Sequence, residues 1–277
     1  MGIPIIDAHI HMMYFEKQTP GALDWVKSFY GEENFQDFYD KMCDPDHFAA
    51  YLRANGVDYG FIFAELCPAV TGTCSNEIVL EFCAGREALI PIASINPHLT
   101  VNLDQELSRL VQAGFRGLKM LPTYQFYYPH ETRLYPLYAR AQELQIPVLF
   151  HTGSSIFHGT RLKYGDPLFF DDIAVDFPDL KIVLVHGGRG FWYDRALFLA
   201  RLHPNIYLEI AGLPPQNLLQ YFPELDKITD KVIFGSDWPG VPSIKKNIEI
   251  IKQLPFGAEA IDNILGGNAA KLINLTF

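Results

Sequence analysis

The sequence predicts a single (β/α)8 barrel, an α/β fold, on three observations. Eight short apolar runs recur along the 277 residues, segments of helical period separate them at about one βα unit's spacing, and no GxGxxG turn follows any run. A doubly wound sheet needs fewer strands and usually carries that glycine-rich turn, so the barrel is the better fit. The length suits a barrel built as one domain over residues 1–277, and no Ser-, Gly- or charge-rich linker divides it.

In chain order the strands are Ile5–His11, Tyr59–Ala64, Ile90–Asn96, Gly117–Leu121, Val148–His151, Ile182–His186, Ile206–Glu209 and Val232–Gly235. Each is mostly apolar, as a parallel strand buried on both faces must be. Helices are expected at Asp46–Asn55, Ser75–Glu87, Asn102–Ala113, Arg133–Gln145, Phe191–Leu202 and Ser243–Gln253. Several open with Asp, Ser or Asn, whose side chains accept the unpaired N–H groups of a first turn. Two aromatic-rich segments exceed what a barrel needs: Met12–Pro45 after the first strand, holding Trp25, Phe29, Phe35 and Phe38, and Thr123–Pro129 after the fourth. Loops that follow strands lie on the face where barrel active sites form. These loops are therefore expected either to wall a pocket for a flat substrate or to pack as a helical lid or subunit interface.

Hydrophobic residues make up 49% of the chain and charged residues 19%, which excludes a disordered or fibrous protein. Lys plus Arg number 22 against 32 Asp plus Glu, a net charge of −10 that repels polyanions. Nucleic acid and anionic membrane surfaces are therefore not expected partners. Apolar stretches such as Ile90–Ile95 fall far short of the roughly 18 to 20 residues that span a bilayer. The opening Met1–Asp7 lacks the basic region of a secretory signal, and four cysteines without a CxxC suit neither a disulfide framework nor a zinc knuckle. A cytoplasmic protein acting on a small molecule is expected, with self-association left open.

The chemistry starts at Asp7-Ala8-His9-Ile10-His11. Residues i and i+2 of a strand share a side, so His9 and His11 offer two imidazoles as a chelating pair. His151, His186 and Asp237 close or directly follow the apolar runs of the fifth, sixth and eighth strands, so all of these groups converge on one mouth of a closed barrel. Burying that many polar side chains without a common partner is costly. His47, His98, His130, His158 and His203 terminate no apolar run and read as solvated or capping histidines, His158 alone having a route to the pocket. Imidazole nitrogens with a carboxylate suit zinc first, and manganese, iron or cobalt as alternatives. Such a cation acidifies water and polarises a carbonyl, while a carboxylate such as Asp237 accepts the proton as the water attacks.

Lys119 ends the fourth strand. A cation beside a divalent metal is unfavourable, so it either faces an anionic substrate group or is carbamylated and bridges a second metal; a lysine snorkelling from the rim is the bland alternative. Arg189, in a glycine loop after His186, has a fork that fits a substrate carboxylate. Glu65 and Glu209 lie at the interior rim as partners of a histidine or members of an ion pair, and neither receives a role.

Ile6-Asp7-Ala8-His9-Ile10-His11, Gly114-Phe115-Arg116-Gly117-Leu118-Lys119, Phe150-His151-Thr152-Gly153, Val185-His186-Gly187-Gly188, Phe234-Gly235-Ser236-Asp237-Trp238-Pro239 and Ile264-Leu265-Gly266-Gly267-Asn268-Ala269 occur in this order. In that combination the chain resembles the amidohydrolase superfamily, and in particular its amidohydrolase-2 branch, which includes the aminocarboxymuconate-semialdehyde decarboxylase-like proteins. The resemblance covers the whole chain. It implies a distorted (β/α)8 barrel, one metal held by His9, His11, His151 and Asp237, and His186 acting on substrate or water as acid or base. Lys119 departs from the mononuclear pattern, and a second metal is implied only if it is carbamylated. The expected activity is hydrolysis of an ester, lactone or amide bond in a small carboxylated substrate by metal-activated water. Two alternatives remain: non-oxidative decarboxylation of an aromatic or muconate-like acid, and a metal-stabilised binding protein without turnover.

Overall fold

The computed structural model describes residues 2–241 and 243–276. Eight parallel strands follow one another around a nearly closed barrel: β1 Ile6–His11, β2 Tyr59–Phe63, β3 Leu89–Ser94, β4 Leu118–Met120, β5 Val148–Gly153, β6 Ile182–Arg189, β7 Ile206–Glu209 and β8 Val232–Ile233. All eight expected strands are present, with ends shifted by a few residues. The barrel closes just past β8, where Ala8 N–H donates to the Phe234 carbonyl (3.0 Å) and His11 N–H to the Trp238 carbonyl (2.9 Å). The buried Asp7 carboxylate stitches the same seam, accepting the N–H groups of Ser236 at 2.8 Å and His9 at 3.2 Å.

Two apolar layers hold the barrel. Leu118, Met120, Phe150, Leu184 and Leu208 face outward and pack with helix residues such as Leu107, Leu137, Ala196 and Leu199. Phe61, Phe63, Ile92, Leu149, Val183, Val185 and Ile233 fill the interior with Ala269 and Leu272 of the C-terminal helix Asn268–Leu272. Full burial of one such large side chain contributes about 1.5–3 kcal/mol, so both layers oppose opening. The helix starts follow capping chemistry: Asp44 accepts from Asp46 and His47 N–H, Ser75 from Ile78 N–H and Ser243 from Lys246 N–H. Asp44, two residues before the expected start, therefore caps the helix Pro45–Ala54.

The segment after β1 is not an open loop. It forms two helices, α1 Pro20–Tyr30 and α2 Glu32–Cys43, joined at Gly31 with φ 74°. Pro20 pre-sets the first turn, and Ala22 and Val26, four apart, turn one face inward. Its stem, Lys17–Gln18, pairs with Gly72–Cys74, which pairs with Glu65–Cys67, in a small antiparallel three-stranded sheet outside the barrel. Gly72 is required there, because at φ 131° a Cβ would stand 1.9 Å from the Lys17 carbonyl oxygen. The four cysteines are free thiols, and no helix among the described residues is long and apolar enough to cross a membrane.

Candidate metal-binding active site

Strand parity alone would turn some of the site residues away from the barrel. Ile6 and Ala8 of β1 are interior, so simple alternation would send His9 outward with Asp7. A register shift in β1 between Asp7 and Ile10 inserts the extra residue that turns His9 and His11 inward and leaves Ile10 in the outer layer. In β6, Val183 and Val185 are interior, and alternation would send His186 outward. Its φ of 62° reverses this, and its ring lies 5.0 Å from His9 and 4.7 Å from His151. Asp237 is likewise left-handed at φ 70°. Such backbone costs about 1–3 kcal/mol per residue and persists only where the surroundings hold it. Thr152 does that at β6: its hydroxyl donates to the Val185 carbonyl (2.6 Å) and accepts Gly188 N–H (2.9 Å).

His9, His11 and Asp237 come together. Their ligand atoms lie within 4.8 Å of one another, His9 Nε2 standing 3.1 Å from His11 Nε2, with Asp237 Oδ1 3.3 Å from the first and 3.5 Å from the second. Each ring is held from behind by a carboxylate. Glu209 Oε1 meets His9 Nδ1 at 2.8 Å, and Glu65 Oε2 meets His11 Nδ1 at 3.0 Å. With both Nδ1 atoms so engaged, two nitrogen lone pairs and a carboxylate oxygen point at one another, an arrangement that calls for a cation. Without one, the hydrogen bonds to Asp237 and Glu65 outweigh burial and raise the His11 pKa to about 9, so a proton neutralises the cluster. His151 stands outside this group, yet its Nε2 is buried without a hydrogen-bond partner. These donors fit a divalent cation with nitrogen and oxygen ligands.

Burial also drives the His9–Glu209 pair toward its neutral forms, lowering His9 well below the usual histidine range and pushing Glu209 up to about 8. Were His9 Nε2 to hold a dication, that bias would be opposed, the shared proton sitting on His9 Nδ1 and the Glu209 carboxylate accepting it. For Asp237 burial acts upward, but the imidazoles of His186, His9 and His11 hold it well below the ordinary carboxylate range. Elemental analysis of protein purified without chelator is expected to find about one equivalent of divalent transition metal. His9→Ala and His11→Ala are each expected to lower that content together with activity.

His186 lies beside this group and, with His9 and Glu209, makes a second set of ligand atoms within 4.8 Å of one another. Its Nδ1 donates to the Ala211 carbonyl (2.8 Å) and its backbone N–H to Glu209 Oε2 (3.1 Å), so Nε2 keeps its lone pair. Burial lowers its pKa well below the ordinary range, assisted by the charge of Arg189. Lys119 is 1% exposed, and its Nζ has no hydrogen-bond partner and sits 4.8 Å from the centre of the Phe63 ring. Burial pulls its pKa down to about 8 against the raising influence of Glu209, Asp237 and Glu65. Arg189 is tethered through Nε and Nη2 to the Ser154 carbonyl, with Nη1 3.7 Å from Asp237 Oδ2. Gly212 beside this pair is obligatory, since a Cβ there would stand 2.4 Å from Asp237 Oδ2.

All of the sequence-derived site residues except His9 line one cavity of about 290 Å³, and His9 is fully buried outside that lining. The outer wall is apolar: Phe15, Trp25, Phe29 and Phe35 come from the lid side and Ile156 and Phe157 from the loop after β5. Both expectations for Met12–Pro45 are thus met in part, because α1 and α2 form a helical lid whose inner face is a pocket wall. Of Thr123–Pro129 only Tyr124 reaches the cavity, its ring edge-on to His151 at 4.9 Å. None of the five other histidines lines it, and His203 pairs instead with Asp171. Sequence reasoning left Glu65 and Glu209 without roles and missed Thr71 and Thr152. For Glu209 the signal was its place at the end of Ile206-Tyr207-Leu208; for Thr71 and Thr152 nothing local marks them.

A model of the amidohydrolase family matches residues 6–275. Among solved structures, an uncharacterised TIM-barrel protein from Bordetella bronchiseptica is 22% identical, with 98% of this chain and 99% of that one covered and a TM-score of 0.80. A dihydroxybenzoic acid decarboxylase from a Polaromonas species, solved with bound manganese and the inhibitor 2-nitroresorcinol, is 17% identical over 99% of this chain and 98% of that one, with a TM-score of 0.72. A probable 2-pyrone-4,6-dicarboxylic acid hydrolase from Acinetobacter baumannii with citric acid bound is 17% identical over 98% and 99% of the two chains, with a TM-score of 0.64. At these identities the likeness is one of fold.

Proposed function

The chain belongs to the amidohydrolase family, and from that membership we propose that it is a metal-dependent hydrolase that cleaves an ester, lactone or amide bond of a small carboxylated substrate. The observation that carries this reading is His186, a cavity-lining imidazole held in its neutral form by burial, whose Nδ1–H is committed to the Ala211 carbonyl and whose Nε2 is thereby left to act as a base. Zinc is the metal we assign to His9, His11, His151 and Asp237, with manganese the alternative, since a structural neighbour carries it. When bound, the cation supplies Lewis acidity that polarises a substrate carbonyl and acidifies water. His186 Nε2 accepts the proton of the attacking water and returns it to the leaving oxygen or nitrogen. Arg189 and Lys119 hold the substrate carboxylate, and the wall built by Trp25, Phe29 and Phe157 receives the apolar body while excluding bulk water.

Decarboxylation of an aromatic acid is the second reading, favoured by that apolar wall and by the decarboxylases among the structural neighbours. It requires a proton to be placed on carbon, which a histidine held neutral serves less well than it serves water attack. Metal-loaded protein assayed against lactones and esters by proton release, and against aromatic acids by CO₂ release, separates the two. Proton release without CO₂ is expected; CO₂ release with no hydrolysis anywhere in the panel would sink the hydrolase reading.

Lys119 separates one metal from two. As a free ammonium it clamps the substrate carboxylate, and Lys119→Ala is expected to raise KM about 10- to 100-fold, the equivalent of ~1.5–3 kcal/mol for a charged hydrogen bond, with metal content unchanged. A carbamylated Lys119 would instead show metal falling from about two equivalents in the variant and bicarbonate-dependent reconstitution of the wild type.

A further inference from the structure

The two imidazoles of the metal group are held from behind by carboxylates of different origin. Glu209, behind His9, lies on barrel strand β7 and is fully buried. Glu65, behind His11, lies on Glu65–Cys67 in the small sheet outside the barrel, the sheet that also contains the stem of the lid. The second oxygen of Glu65 accepts the Thr71 hydroxyl. Thr71 is 4% exposed, and its carbonyl accepts the N–H of Thr19 at 3.0 Å. Thr19 is the N-cap of α1, and its hydroxyl donates to the adjoining Val70 carbonyl at 2.7 Å. From α1, Trp25 meets Phe157 edge-on at 5.1 Å across the cavity. Thr71 therefore touches the carboxylate behind one metal-binding imidazole with its side chain and the first turn of the lid with its backbone.

We propose that Thr71 is a positioning residue that couples the seating of the α1–α2 lid to the orientation of His11, an inference that rests on the metal centre proposed above. Glu65 is too buried for water to replace its partners, so it keeps one oxygen on His11 only while the other stays on Thr71. The turn that presents Thr71 is itself short, the N–H groups of Val70 and Thr71 both donating to the Cys67 carbonyl. Withdrawing the lid pulls Thr19 from that turn and loosens the hydroxyl's hold on Glu65. Coupling of this kind is reciprocal: a cation that favours the oriented His11 must favour the seated lid by the same free energy. His9, held by Glu209 within the barrel, lies outside this route.

Limited proteolysis of the full-length protein, with cuts mapped to residues 20–43, tests the coupling. Wild-type protein stripped by chelator is expected to be cut in the lid on the order of tenfold faster than the same protein loaded with zinc. Thr71→Val, which keeps shape and carbonyl but lacks the hydroxyl, should bind zinc about 10- to 100-fold more weakly and lose the zinc-dependent protection even at saturating zinc. Thr71→Ser should restore both. Glu209→Gln should weaken zinc binding but keep the protection once saturated, a split that general destabilisation would not produce. Wild type that takes up zinc with unchanged lid cleavage overturns the coupling, whatever the variants do. Wild type that takes up no zinc overturns the metal centre as well. Thr71→Val protected like wild type, or Glu209→Gln unprotected at saturating zinc, overturns the route through Thr71.

Discussion

His186→Ala should lower turnover by roughly 10² to 10⁴ while leaving metal content at the wild-type level, the size expected when a general base is removed from a site that still binds its substrate. The separation follows from the hydrogen bonds. His186 Nδ1 is spent on the Ala211 carbonyl, and His9, His11 and Asp237 converge without His186, which forms a second close group with His9 and Glu209. The loss should fall on kcat, because a base acting on water contributes to the transition state more than to substrate binding. Residue 186 sits at φ 62°, so His186→Asn is the control for backbone strain, asparagine tolerating left-handed backbone better than alanine. Both variants should be equally slow if proton transfer is what was lost. A metal-poor His186→Ala protein would make His186 a ligand instead and favour a two-metal site.

The second large effect is expected at Glu209. Its Oε1 meets His9 Nδ1 and its Oε2 accepts the His186 backbone N–H, so one buried carboxylate fixes both the imidazole proposed to bind metal and the left-handed residue proposed as the base. Glu209→Ala leaves both His9 Nδ1 and the buried His186 N–H without their partner. Zinc affinity should fall about 10- to 100-fold, as for other residues that orient metal-binding histidines. Unfolding stability measured in the presence of chelator should fall by ~1–3 kcal/mol from the unpaired His186 N–H alone. Zinc titration and denaturant unfolding read the two losses separately. Wild-type zinc affinity in a folded Glu209→Ala protein would show that His9 is oriented by the barrel backbone alone.

Much of this was legible in the sequence because strand and barrel geometry are periodic. Eight apolar runs at βα spacing gave the barrel. Polar residues closing the runs at His151 and His186, or following them at Asp237, placed those groups at one mouth, and two-residue alternation put His9 and His11 on a common side. The same alternation could not say which side, because the β1 register shift and the left-handed backbone at His186 decide it, and each depends on contacts from other strands. A helical lid was one of two expectations for the aromatic segment after β1, but the bounds of its two helices were not legible, because their short apolar faces gain meaning only against the barrel mouth. Glu65 and Thr71 lay hidden for the same reason: they act through partners 54 and 52 residues away, at His11 and Thr19. The sequence by itself determined the fold and the donor types, which follow from local period and side-chain chemistry. Only the tertiary structure decided how those donors are aimed, because aim is set by hydrogen bonds between segments far apart in the chain.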